Sequence, residues 1–178
     1  MFGGRMRKSS GKGRRAVAGD PQPPAGGMQI RAAAPCWEDA NLAHEILLSS
    51  PEAAAWSVDS LLKGIASPDY FAFFGVHGME STGFILGRLT TGEAEILDLA
   101  VRPGSRRRGD ATALTEFLLR RFRILGAQKI FLEVRESNQG AISFYDTMGF
   151  RPAGTRPNYY RNPVEAAVLL MRSLARES

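Results

Sequence analysis

The run Val101-Arg102-Pro103-Gly104-Ser105-Arg106-Arg107-Arg108-Gly109-Asp110-Ala111 constrains this chain more than any other stretch. An apolar strand pattern, Ile96 to Val101, leads into it, and a helical pattern that begins near Asp110 leads out. Between them Pro103-Gly104 breaks the strand, and three arginines and a glycine precede the helix. A helix N-terminus carries N–H groups without an intrahelical acceptor and the positive end of a dipole. A glycine that lets the backbone approach closely, with arginines that neutralise charge, makes this strand, loop and helix a fit for a phosphate-bearing ligand.

The rest of the chain limits what such a site can belong to. A length of 178 residues suits one domain with a single substantial core. No run approaches the roughly 18 apolar residues of a membrane helix, so the expectation is a soluble, cytoplasmic protein with no membrane partner. The lone Cys36 excludes an internal disulfide and a multi-cysteine metal site, and with only His44 and His77 the chain supplies metal ligands poorly; no metal is expected. Cys36 has no nearby histidine to activate it. The formal charge of +5 is confined to the N-terminus. Residues 1–27 hold six basic groups (Arg5, Arg7, Lys8, Lys12, Arg14, Arg15) against Asp20, which leaves 17 basic and 17 acidic residues in the remainder. A neutral core gives no bulk-charge case for direct nucleic-acid binding.

Residues 1–27 are rich in Gly, Ser, Pro and Arg and poor in large apolar residues that could offset the cost of ordering them, the composition of a flexible basic tail or of a misassigned start upstream of Met28. Residues 28–178 read as the single domain. Met28 to Ala33 forms a first strand; Glu38 to Leu48 and Val58 to Ile65 carry helical apolar stripes; Tyr70 to Val76 and Thr82 to Leu89 read as strands around a His77-Gly78 turn. Thr90-Thr91-Gly92 turns the chain into Glu95 to Val101. A helix from Asp110 ends at Gly126, Lys129 to Val134 is a strand, and a helix from Asn138 to Met148 stops at Gly149. A strand from Phe150 and another over Ala166 to Met171 complete the pattern. Strands and helices mix without strict alternation, which predicts an α/β fold with a mixed, mainly antiparallel twisted sheet.

Arg106-Arg107-Arg108-Gly109-Asp110-Ala111 resembles the [Q/R]-x-x-G-x-[G/A] signature of the GNAT family of N-acetyltransferases. Alone that pattern is permissive. It follows a Leu99-Ala100-Val101-Arg102-Pro103 strand end, however, and the chain continues with Leu132-Glu133-Val134-Arg135-Glu136-Ser137-Asn138 and Phe144-Tyr145-Asp146-Thr147-Met148-Gly149-Phe150. These, with Arg156-Pro157-Asn158-Tyr159-Tyr160, resemble elements of the RimI-like members, the ribosomal-protein alanine N-acetyltransferases. The resemblance covers residues 29 to 172 and is sharpest from Glu95 to Tyr160.

What the resemblance implies is the acyl-CoA N-acyltransferase fold with helices on both sheet faces, acetyl-CoA as co-substrate, and a protein or peptide N-terminus, such as the N-terminal alanine of a ribosomal protein, as acceptor. Leu99, Ala100 and Val101 would line the thioester and the pantetheine arm; Arg106, Arg107, Arg108, Gly109, Asp110 and Ala111 would hold the pyrophosphate. Glu133 would be the base; its plain alternative is a strand carboxylate paired with Arg135 or Arg102. Tyr145 would be the acid; its alternative is a core tyrosine on an apolar stripe. Asn138 would cap its helix, bond the pantetheine amide, or do both. Glu95, expected to share a face with Leu97, Leu99 and Val101, would be the second candidate base, a solvated hairpin residue, or a group that orients the substrate N-terminus, with Tyr159 and Tyr160 as candidates for the acceptor groove. Asp110 departs from the family pattern, with a carboxylate either turned outward along the helix dipole or opposing the pyrophosphate; Ala111 is an accepted variant, and Arg161 to Glu165 is short for a RimI-type loop. A lysine or small-amine acetyltransferase and a non-catalytic acetyl-CoA-binding module are the other functions this pattern allows.

Overall fold

The structure, a computed structural model, describes residues 27–50, 52 and 56–174. Apart from Gly27, the basic tail lies outside them. The elements run β1 (Met28–Ala32), α1 (Trp37–Leu48), α2 (Val58–Ala66), β2 (Tyr70–His77), β3 (Glu80–Thr90), β4 (Glu93–Val101), a 3-10 turn (Pro103–Ser105), α3 (Asp110–Ile124), β5 (Lys129–Arg135), α4 (Gln139–Thr147), β6 (Arg151–Arg161) and β7 (Val164–Ser173). The strands form one sheet in the order β1-β2-β3-β4-β5-β7-β6. Every neighbouring pair is antiparallel except β4 and β5. The expected mixed, mainly antiparallel sheet is therefore present, with β3 and β7 longer than the sequence indicates; β2 also extends through His77, so the turn begins at Gly78.

Alternation along the strands sorts apolar residues into two cores, one on each face. Ala40, Ala43, Ile46 and Leu47 of α1 and Leu61 and Ile65 of α2 pack with Phe74, Phe84, Leu86 and Ala100 on one face. Leu114, Leu118, Leu119 and Phe122 of α3, Tyr145 of α4 and Met148 just after it pack with Ile85, Ile96, Ile130, Leu132 and Leu170 on the other. Phe71 meets Phe122 edge-on at 5.2 Å, and Phe73 meets Phe117 at 4.9 Å.

Two glycines set how deeply α3 sits. A Cβ on Gly83 would lie 2.9 Å from Leu114 Cδ1, and one on Gly87 would lie 2.8 Å from Leu118 Cδ2, 2.9 Å from Phe122 Cζ and 3.0 Å from the Glu95 carbonyl. Bare backbone at these positions admits the helix to a distance that any side chain would forbid.

Two features of β4 prepare the site. A bulge falls where Leu86 pairs with Asp98 but Gly87 pairs with Ile96, so Leu97 is the extra residue. Pairing of β4 with β5 covers only Glu93 to Glu95 against Lys129 to Phe131. Beyond Glu95 the strands part, although β4 stays on β3 as far as Val101 and β5 stays on β7 through Arg135. The sheet is forked at its centre.

Gly87→Ala is expected to lower stability by about 1–3 kcal/mol, read from the midpoint of chemical denaturation, because two aromatic and aliphatic contacts and a strand carbonyl must shift together.

Candidate functional site

The anion-loop expectation can be followed residue by residue. Arg107 and Gly109 are both left-handed, at φ 64 and φ 89. Gly109 adopts this freely, whereas a side-chain-bearing residue such as Arg107 does so at a cost of about 1–2 kcal/mol. Left-handed residues in a turn gather successive N–H groups toward a concavity suited to anions. Gly109 is the N-cap of α3 and no side chain caps that helix, so its first N–H groups retain their capacity. The side chains of Arg107 and Arg108 and the space around Gly104 and Gly109 are open.

Two loop residues behave differently from the rest. The Arg106 guanidinium turns back: Nε donates to the Val101 carbonyl at 3.1 Å, and Nη2 donates to the Ser49 carbonyl and to Ser50 Oγ, bracing the loop against the end of α1. Asp110 neither faces outward nor opposes an anion in the loop. It is 3% exposed, accepts a 2.7 Å hydrogen bond from Thr82 Oγ1, and lies 3.0 Å from His77 Nε2.

The fork begins directly before this loop. Arg102 N–H donates to the Thr82 carbonyl. In an antiparallel ladder the residues that bond a given neighbour alternate, so Ala100 also faces β3 while the backbone groups of Leu99 and Val101 face the fork. The Val101 carbonyl meets Arg106, and the Leu99 N–H donates to its neighbour Asp98 Oδ1 at 2.9 Å. The Val101 N–H is directed into the fork. A strand edge with this spacing accepts an extended, amide-bearing arm by backbone pairing.

The bulge at Leu97 corrects the expected facial register. Leu97 packs into the core beneath α1 and α2, while Leu99 packs into the core beneath α3 and α4. Alternation back from Leu97 places Glu95 on the α1 and α2 face, with Leu97 and away from Leu99 and Val101. Glu95 Oε2 there accepts from Arg88 Nη2 at 2.7 Å.

Glu133 belongs to the same side of the fork, since Ile130, Leu132 and Val134 of β5 fill the opposite core. Its carboxylate is 14% exposed and pairs with Arg156 Nε at 3.0 Å, while the Arg156 side chain is 58% exposed. The partners named in the sequence expectation are engaged elsewhere: Arg135 with Glu165, and Arg102 with Glu45. Tyr159 donates its hydroxyl to Glu133, and this bond, followed by partial burial, holds its pKa above the usual phenol value. Burial first, then the charge of Glu133, raises that of Tyr160, whose ring lies 4.1 Å beneath the Arg135 guanidinium. Glu95, Glu133, Tyr159 and Tyr160 are thus brought to one region, and Glu95 also acts electrostatically on Tyr159.

Tyr145 approaches from the other face. It is 6% exposed, with its ring edge-on to Phe144 at 5.0 Å and Phe150 at 5.3 Å. Burial raises its pKa well above the ordinary phenol value of 10.0, and the negative charge of Asp98 raises it further. Asn138 caps α4, its Oδ1 accepting from the Ala141 N–H at 3.0 Å.

Asp98 is the site residue that sequence reasoning missed. It is buried, accepts from Trp56 Nε1 at 3.1 Å as well as from Leu99, and ties the segment before α2 to the bulged strand. The available signal was a carboxylate inside an apolar strand run, Ile96-Leu97-Asp98-Leu99-Ala100-Val101. Among the described residues no group of three or more His, Cys, Asp or Glu side chains could hold a metal, and no helix is long and apolar enough to cross a membrane.

The chain is similar to known proteins in both sequence and fold. The chain is 34% identical over 91 residues to the ribosomal protein bS18-alanine N-acetyltransferase of Escherichia coli, a match covering 51% of this chain and 62% of that relative. The protein of the same description from Salmonella typhimurium is 30% identical over 126 residues, covering 65% of this chain and 84% of the relative. The crystal structure of the Escherichia coli protein superposes with a TM-score of 0.76 at 26% identity, covering 85% of this chain and 96% of that one. Residues 36–150, which span α1 to α4 and hence the fork, the anion loop, Glu133 and Tyr145, match the acetyltransferase (GNAT) family, and the chain belongs to that family.

Proposed function

We propose that this protein is an acetyl-CoA-dependent N-acetyltransferase that modifies the α-amino group of a protein, with the N-terminal alanine of a ribosomal protein as the expected acceptor. The observation that carries the reading is the two-sided fork: carboxylates on the α1 and α2 face, a protonated phenol on the α3 and α4 face, and an anion loop at the end of β4. The matched relatives supply the acceptor class, because their described acceptor is a ribosomal-protein alanine.

The residues fit the co-substrate. Open space at Gly104 and Gly109, uncapped α3 N–H groups and the exposed Arg107 and Arg108 suit a pyrophosphate, and the backbone of Leu99 and Val101, with Ala100 turned to β3 between them, offers a strand edge to the amides of the pantetheine arm. Asn138 caps α4 through its side-chain oxygen, which leaves its amide NH2 able to donate to that arm.

An α-amino group of pKa near ~8 is mostly protonated at neutral pH and must lose a proton before it can attack. Glu133 takes that proton, directly or through one water, after the acceptor ammonium has displaced Arg156. The amine nitrogen forms a bond to the thioester carbon, and the Val101 N–H, directed into the fork, stabilises the charge that grows on the carbonyl oxygen. The carbon–sulfur bond then breaks toward Tyr145 as the nitrogen gives up its second proton to water, leaving the amide. A thiol of pKa about 8.5 is a stronger acid than this phenol. The main contribution of Tyr145 is therefore a hydrogen bond to the developing thiolate, with proton transfer late. Glu95, Tyr159 and Tyr160 hold the acceptor, three groups that combine negative charge with aromatic walls, as an ammonium-bearing peptide requires.

Incubation with acetyl-CoA and peptides beginning with alanine is expected to release free thiol and add one acetyl group at the α-amine. Measured acetyl-CoA binding without acetylation of any α-amine overturns the reading. Transfer confined to lysine side chains or small amines reassigns the acceptor alone.

Glu133→Gln and Tyr145→Phe are each expected to lower kcat by about 10²–10⁴, with acetyl-CoA affinity little changed. Because the Tyr145 pKa lies above 10.0, the phenol remains protonated through the alkaline range, and kcat is expected to show no decline from its ionisation up to pH 10.0. Asp98→Ala, which leaves the Trp56 and Leu99 donors without their acceptor, is expected to cost about 1–3 kcal/mol of folding stability, read by denaturant titration.

A further inference from the structure

Asp110 stands in the first turn of α3, directly after the glycine of the anion loop, and its side chain is turned into the protein. One oxygen of its carboxylate lies 3.0 Å from His77 Nε2; the other lies 3.1 Å from the same nitrogen and accepts from Thr82 Oγ1 at 2.7 Å. Thr82 is 1% exposed, and its hydroxyl is also 3.4 Å from the Gly75 carbonyl. His77 ends β2 and Thr82 lies near the start of β3, so one carboxylate ties α3 to both strands of a hairpin. We propose that Asp110, His77 and Thr82 form a clasp that sets the position of the anion loop, making them positioning residues for coenzyme A binding without contact to it. The proposal rests on the assignment of the pyrophosphate to that loop.

Three observations support the clasp. The first is its depth: a buried carboxylate is costly unless hydrogen-bonded and paired, so its partners are held with it. The second is its register. One helical turn after Asp110, Leu114 rests where a Cβ on Gly83 would lie, 2.9 Å from Leu114 Cδ1. That close packing lowers the start of α3 onto the hairpin and brings Asp110 within reach of Thr82, the residue before Gly83. The third is electrostatic. A carboxylate projecting from the first helical turn into the loop would repel a pyrophosphate. Turned inward and paired with His77, it leaves the loop to Arg107, Arg108 and the helix dipole. Side chains in the first turn of a helix lean toward its N-terminus, so a shift of the clasp displaces the N–H groups of Gly109 to Thr112 together.

The clasp is tested on the full-length protein by titrating acetyl-CoA and by steady-state kinetics with each substrate varied in turn. Asp110→Ala and His77→Ala are expected to raise the Kd and KM for acetyl-CoA about tenfold, while kcat at saturation and the acceptor KM change by less than about twofold. Thr82→Val, which keeps the shape and removes the hydroxyl, is expected to shift acetyl-CoA affinity in the same direction, and Thr82→Ser to restore it. If Asp110→Ala does not fold, the Thr82→Val and Thr82→Ser pair decides. Folded variants with unchanged acetyl-CoA affinity, or a fall in kcat with both KM values unmoved, overturn the clasp. Failure of the wild-type protein to bind acetyl-CoA overturns the assignment of the loop itself.

Discussion

The site depends on the place where β4 and β5 cease to pair. Each strand is held along its outer edge, β4 by β3 and β5 by β7, and the two meet for only three residue pairs. Beyond Glu95 their inner edges separate. Unpaired backbone inside a protein is costly, and the β4 edge shows how that cost is reduced: Asp98 accepts from Leu99, and Arg106 donates to Val101. Both partners are charged side chains from adjoining sequence. The fork is thus held open by local contacts, while the Val101 N–H stays directed into it.

Charge is distributed around the fork in a pattern that matches the proposed reaction. Anionic groups occupy the face under α1 and α2, where an ammonium would arrive; a phenol kept neutral by burial occupies the opposite face, where a thiolate would leave; cations and helix N–H groups lie at the end of β4. The carboxylates are engaged with cations in the free protein, Glu133 with Arg156 and Glu95 with Arg88. Arg156 therefore stands where an acceptor ammonium would stand. The Arg156 end of the pair is exposed while Glu133 is largely covered, so an arriving ammonium reaches the carboxylate by taking the place of Arg156. Asp98 adds a different kind of control, joining the segment that carries Trp56 to the bulged strand.

Much of this was legible in the linear chain. Helical and strand periods located each element to within a few residues, and the Arg106 to Ala111 run marked the anion loop. Glu133, Tyr145 and Asn138 became candidates through the resemblance of their segments to family motifs. The pairing partners were not legible. Arg135 is nearer to Glu133 in the sequence, and Arg102 follows the strand expected beside it, yet β6 delivers Arg156 to it across β7. The facial assignment of Glu95 failed for a definite reason: alternation holds only while a ladder is regular, and one extra residue at Leu97 reverses everything behind it.

The sequence by itself determined the elements, the chemistry available at the loop and fork, and the family, because these follow from local periodicity, turn residues and short motifs. Tertiary structure alone decided which charges meet. Asp110 shows the difference most clearly. From sequence its carboxylate had two destinations, outward along the helix dipole or toward the anion. Only the packing of α3 on bare glycine backbone revealed a third, a buried pocket supplied by His77 and Thr82, about 30 residues earlier in the chain.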